Sequence, residues 1–96
     1  MYYTIDPAKI EAAITPRTTA IMPVHIHGMP CNLGPIMEIA EKHDLKVIHD
    51  ACQAHGATCE GDRLGGIDFT TGFSTNRSKN LSSGEGGIFT TDDDDA

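Results

Sequence analysis

An α/β fold with a mostly parallel sheet and flanking helices is predicted by three features of this chain. Two short, largely apolar runs, residues 19–26 and 45–49, flank one amphipathic segment. The whole strand-helix-strand unit fits within about thirty residues, the span of a right-handed parallel crossover. No internal repeat and no domain linker is visible, so the 96 residues make at most one small domain.

The elements follow in order. Asp6-Pro7 reads as a helix cap and a first-turn proline, and Ile10, Ala13 and Ile14 recur at helical spacing, which predicts a short helix over 7–14. Thr15-Pro16-Arg17 ends it. Thr19-Ala20-Ile21-Met22-Pro23-Val24-His25-Ile26 is too short for a helix and reads as a buried strand, weakened at Pro23 by a missing ladder donor. After the 28–34 connection, with Asn32 as a cap, Ile36, Met37, Ile39, Ala40 and His43 fall at helical intervals while Glu38, Glu41 and Lys42 face water. Leu45-Lys46-Val47-Ile48-His49 is the second strand. Asp50 falls at its carboxyl end, outside which open α/β sheets place their ligand crevice. Residues 57–64 form an extended excursion turning at Gly61-Asp62, residues 69–74 a further strand, and residues 87–91 a last one before an acidic run.

Composition removes several classes of function. No apolar run approaches the roughly 18 residues needed to span a bilayer, and Met1-Tyr2-Tyr3-Thr4-Ile5-Asp6 has neither the basic start nor the apolar stretch of a secretory signal, so a cytoplasmic location is expected. The net charge of -7, with only 7 scattered Lys and Arg, argues against a nucleic-acid surface. Part of that excess is Asp92 to Asp95, a solvated tail. Cys31, Cys52 and Cys59 are odd in number and lack C-x-x-C spacing, which points to reduced thiols. His25, His27 and Cys31 in one segment, and His49, Asp50, Cys52 and His55 in another, are zinc-ligand types without finger spacing. They make metal binding a minor alternative with no ligand assigned.

The stretches Val47-Ile48-His49-Asp50-Ala51-Cys52-Gln53-Ala54-His55-Gly56-Ala57 and Phe73-Ser74-Thr75-Asn76-Arg77-Ser78-Lys79-Asn80-Leu81 carry the functional reading. Together with Ile5-Asp6-Pro7-Ala8-Lys9-Ile10, Pro23-Val24-His25, Ile36-Met37-Glu38-Ile39-Ala40 and the Gly84-Glu85-Gly86-Gly87 turn, they resemble the DegT/DnrJ/EryC1/StrS aminotransferases. These are pyridoxal-phosphate enzymes that typically aminate keto-sugars on nucleotide carriers. The resemblance implies the large domain of the aspartate-aminotransferase-like fold (fold type I). Residues 1–96 would be its central part, with the N-terminal part and the C-terminal small domain outside.

The same resemblance implies the site. Lys79 would be the catalytic residue, a primary amine that condenses with the cofactor aldehyde and, once released, moves a proton between substrate carbon and cofactor; arginine or histidine could not do both. Asp50 would keep the pyridine nitrogen protonated through a charge-assisted hydrogen bond. At roughly 4 Å and an effective dielectric near 20, that attraction is about 4 kcal/mol before desolvation. Gln53 would contact the ring's 3′-oxygen and Ser74 the phosphate, while His55 and Asn80 would brace the loop and the lysine turn. The implied donor is glutamate or glutamine, the acceptor a keto-sugar or keto-cyclitol, and the complete enzyme a homodimer. The family's dehydratase branch carries histidine in place of the lysine, so Lys79 points to transamination. The sequence departs from the family at Phe73-Ser74-Thr75, where an aromatic usually follows the serine, and over residues 65–72. A non-catalytic remnant or interaction module is the remaining alternative.

Overall fold

The computed structural model describes residues 3–66 and 70–95. Its elements are α1 (Ile10–Ala13), β1 (Ala20–Ile21), α2 (Leu33–Lys42), β2 (Lys46–Asp50), β3 (Thr58–Cys59), β4 (Asp62–Arg63), β5 (Thr70–Ser74) and β6 (Gly87–Thr90). The main sheet has the order β1-β2-β5-β6, with β1, β2 and β5 parallel and β6 antiparallel to β5. The mostly parallel α/β reading holds.

The first predicted helix opens as a 3-10 turn, Pro7–Lys9, before α1 begins. Asp6 caps it by accepting the Ala8 N–H at 3.1 Å, and Pro7 occupies a position whose missing N–H costs nothing. Glu11 of α1 then takes Lys42 Nζ and His43 Nε2 at 2.8 Å each, tying α1 to the end of α2. In α2, Leu33, Ile36 and Ala40 are buried as the periodicity requires, but Met37 stays exposed and His43 forms the C-cap. Asn32 does occupy the N-cap position; its side chain makes no cap bond.

The predicted strand over 19–26 is the main departure. Ala20 pairs with Lys46 and Ile21 with Val47; the same register resumes only at a single bridge, Val24 to Asp50. Pro23 has no N–H to give, although its carbonyl accepts the Asp50 N–H at 3.0 Å. Beyond it, residues Ile26–Gly28 coil into a 3-10 turn, so β1 is two residues long. The excursion is a small hairpin, and its turn residues are Glu60 (φ 54°) and Gly61 (φ 99°), one position earlier than predicted. Both positive φ values mark a type I′ turn. The expected start of the next strand at Phe69, and the irregularity assigned to Ile67 and Asp68, lie outside the described residues. The last strand ends at Thr90, one residue short of its predicted end.

The core consists of Ile10, Ile21, Cys31, Leu33, Ile36, Ala40, Ala51, Ala54 and Leu64, with Val47 and Phe73 packed against it. Among the described residues no helix is long and apolar enough to cross a membrane. Two histidines share the interior: His25 and His49 are 0% and 1% exposed, and His25 Nε2 lies 3.0 Å from His49 Nδ1. Burial, and then the neighbouring His25, hold the His49 pKa down at about 4.

This burial fixes the sign of a pH effect. The unfolded chain, with an ordinary histidine pKa of about 6.5, binds a proton that the folded chain refuses. The stabilisation is therefore complete above pH 6.5 and is lost as pH falls toward 4, by about 3 kcal/mol. Urea unfolding midpoints at pH 7, 5 and 4 should record that loss, and H49Q should flatten the profile.

Two glycines make opposite predictions. At Gly65 (φ +82°) an added Cβ would sit 2.6 Å from Phe73 Cε2, so Gly65→Ala should destabilise by about 2 kcal/mol or more. Gly34, in the first turn of α2 with open space around it, should gain about 0.5–1 kcal/mol on replacement by alanine. Denaturant titration of both variants checks the pair.

Candidate functional site

The site grows from the point where β2 and β5 end side by side. Asp50 pairs with Gly72, and the next residue, Ala51, donates its N–H to the Gly72 carbonyl at 2.9 Å. Asp50 is the last residue of β2 and Ser74 the last of β5. The Asp50 carboxylate accepts the Cys52 N–H through Oδ1 at 3.0 Å, a side-chain turn that leads the chain out of the strand. Gln53 then stands exposed, its Oε1 accepting the His27 N–H at 3.0 Å. That N–H is presented by a sharp local turn, with His27 at φ 55° and Gly28 at φ 80°. With its oxygen engaged, the Gln53 amide keeps its NH2 as a donor.

Lys79 sits in the long β5–β6 connection, which is closed by its own bonds. Thr75 N–H donates to Gly86 O, Arg77 N–H to Gly84 O, and Ser83 N–H to Thr75 O, each at 2.9 Å. At the tip, Ser74 Oγ accepts from Asn76 N, Asn76 Oδ1 accepts from Ser78 N, and Lys79 N–H donates to the Asn76 carbonyl at 2.9 Å. These short polar turns leave Lys79 half-buried between exposed neighbours. Thr75, at the unusual position noted in the sequence, is buried, and Ser83 Oγ donates to its Oγ1 at 2.8 Å. A small hydroxyl here fastens the base of the connection.

Gln53 and Lys79 come together: with His27, His55, Ser78 and Asn80 they line a hollow of about 420 Å³. That volume lies within the range of small-ligand sites, roughly 300–1,000 Å³. Every lining side chain is polar. Asp50 and Ser74 do not line the hollow. Burial first, then the Asp50 carboxylate, push the Cys52 thiol pKa up, while the Lys79 ammonium and a Ser74 backbone hydrogen bond oppose them. One sulfur thus feels both charges. His55, which packs at a 40° tilt on Phe73, has a buried Nε2 without a hydrogen-bond partner among the described residues.

His55 and Asn80, expected as braces, line the hollow itself. His27 and Ser78 line it as well, and neither was assigned to it from the sequence. The His27-Gly28 dipeptide after an apolar run was the available signal, because a positive-φ turn there aims the loop back over β2. The two zinc-type clusters take another form. His25 spends Nδ1 on the Cys31 N–H and Nε2 on His49, and among the described residues no group of three His, Cys, Asp or Glu side chains converges on a metal position. A larger hollow of about 890 Å³ near Cys31 and Cys59 contains Lys9 and Asp6, but these pair with each other at 3.5 Å.

The hydroxyl pair at the base of the lysine connection yields a measurable coupling. In a double-mutant cycle with Thr75→Val and Ser83→Ala, the interaction energy from denaturant unfolding should be about 1 kcal/mol.

Comparison with known proteins gives a consistent result. The sequence model of the DegT/DnrJ/EryC1/StrS aminotransferase family matches residues 1–96. GDP-perosamine synthase of Caulobacter vibrioides is 50% identical over 93 residues, which cover 97% of this chain and 25% of that protein. The crystal structure of Streptomyces venezuelae DesV in complex with a ketimine intermediate superposes with a TM-score of 0.92 at 43% identity, covering 95% of this chain and 25% of that one. NtdA from Bacillus subtilis, with bound cofactor PMP, gives a TM-score of 0.82 at 42% identity over 95% of this chain and 20% of its own. The chain spans about a quarter of the length of such relatives.

Proposed function

Because the chain belongs to the DegT/DnrJ/EryC1/StrS aminotransferase family, we propose that it is the central part of a cofactor-binding large domain whose complete enzyme aminates a keto-sugar. Pyridoxal phosphate is the family's cofactor. The observation that carries the reading is the polar hollow that half-buried Lys79 and the Gln53 side chain line together, Gln53 lying three residues on from Asp50.

The residues present fit the cofactor. An aldehyde calls for a primary amine, a basic ring nitrogen for a carboxylate, and phenolic and phosphate oxygens for donors; Lys79, Asp50, Gln53 and Ser74 supply that set. When bound, pyridoxal phosphate supplies an aldehyde that captures amines and a ring that accepts the electron pair left behind at carbon. Lys79 Nζ would hold the aldehyde carbon and, as a free amine, accept and return a proton. Asp50, with Oδ1 engaged by Cys52 N–H, would hold a proton between Oδ2 and the ring nitrogen. Gln53 would orient the ring through its NH2, and the Ser74 hydroxyl would donate to the phosphate while accepting from Asn76.

Retention of lysine at residue 79 favours transamination. The amino donor is glutamate or glutamine and the acceptor a nucleotide-linked keto-sugar or a keto-cyclitol; the complete enzyme works as a homodimer in the cytoplasm. Incubating the chain with pyridoxal phosphate, reducing with borohydride and mapping the modified peptide tests this. Label should appear on Lys79, K79A should carry none, and D50N should lower the yield several-fold. Label at other amines only, or none, would favour the non-catalytic reading.

A further inference from the structure

We infer that His25 and His49 form a tautomer-locked pair that positions Asp50 and Gln53, a role that rests on the cofactor reading above. The lock follows from proton counting. The Cys31 backbone N–H can only donate, and it points at His25 Nδ1 from 3.0 Å, so that nitrogen presents its lone pair. The ring proton of His25 must then reside on Nε2, which lies 3.0 Å from His49 Nδ1. His49 accepts there and carries its own proton on Nε2. Charging either ring would place a hydrogen against a donor. The rings lie within 5° of parallel with centroids 5.3 Å apart. That spacing is the N–N distance plus one ring radius on each side, so the rings lie edge to edge in a common plane.

The pair sits where the backbone ladder is weakest. Pro23 interrupts β1, and after it the loop is held to β2 by the His25 N–H donating to Asp50 O at 2.9 Å and by the ring pair beneath. The Cys31 thiol closes the same loop on the Val24 carbonyl at 3.2 Å. Two residues past His25, the His27 N–H takes Gln53 Oε1. The loop therefore touches Asp50 through its backbone and Gln53 through its side chain, and the imidazole pair sets where that loop lies. Neither histidine lines the hollow, so both are positioning residues.

Long-range proton–nitrogen spectra of the 15N-histidine-labelled, cofactor-free chain read the tautomers directly. Both rings should be neutral with the proton on Nε2 at pH 7; a charged ring, or His25 protonated at Nδ1, would overturn the inference. In H49L, which removes the acceptor, the Cys31 N–H still holds the His25 proton on Nε2, but that proton loses its partner. Amide exchange at His25 and Cys31 should speed at least tenfold, while Phe73 and Ile88 in the β5–β6 pair keep their rates. H49Q, whose amide oxygen can accept from His25, should restore the exchange rates. Apparent affinity for pyridoxal phosphate should fall about tenfold in H49L and return in H49Q. A folded H49L with unchanged exchange and affinity, or a folded H49Q that fails to recover either, would sink the idea. If H49L does not fold, the wild-type tautomers and H49Q still decide it. Missing label on Lys79 would defeat the cofactor reading alone, since tautomers and exchange are read without cofactor.

Discussion

The parallel register at the carboxyl end of β2 is the constraint on which the rest depends. The strand end is bonded on both sides there: Asp50 N–H goes to Pro23 O and its carbonyl takes the His25 N–H on one side, and Ala51 N–H crosses to Gly72 O on the other. A one-residue slip would turn every β2 side chain to the opposite face, moving His49 out of the interior and the Asp50 carboxylate into it. Apolar packing of α2 through Ile36 and Ala40 makes that slip costly, because Val47 belongs to the same cluster. Core burial and site geometry are thus one requirement.

From that edge the site is assembled by short polar turns. Asp50 redirects the chain through Cys52 N–H, Ser74 does so through Asn76 N–H, and Asn76 through Ser78 N–H. Each side chain of this kind replaces a ladder bond that the backbone loses on leaving the sheet. Electrostatics then follow from placement: the amine and the carboxylate are the charges felt by Cys52, and the histidines behind them stay uncharged.

Much of this was legible in the sequence because it rests on local pattern. The α2 stripe, the strand before Asp50 and the Asp6-Pro7 cap are local signals that tertiary packing reinforced. The long strand expected over 19–26 failed because residue type alone does not say whether a proline ends a ladder or merely interrupts it; here the register survives Pro23 for one bridge and then stops. Gln53 and Lys79 were identified by resemblance and line one hollow, whereas His27 and Ser78 join them through backbone turns, of which only the His27-Gly28 dipeptide left a mark in the sequence. The imidazole pair was hidden for a similar reason. His25 and His49 lie 24 residues apart and looked like candidate metal ligands until each was seen to satisfy the other.

The lysine connection has a consequence for how chemistry can change on this scaffold. Its closing bonds run between residues 74 and 86, and Lys79 contributes only its backbone N–H to them. The connection behaves as a socket whose fitting is interchangeable. A different reactive group at that one position would inherit the same mounting, and a lineage could alter the reaction it performs without first rebuilding the frame that aims it.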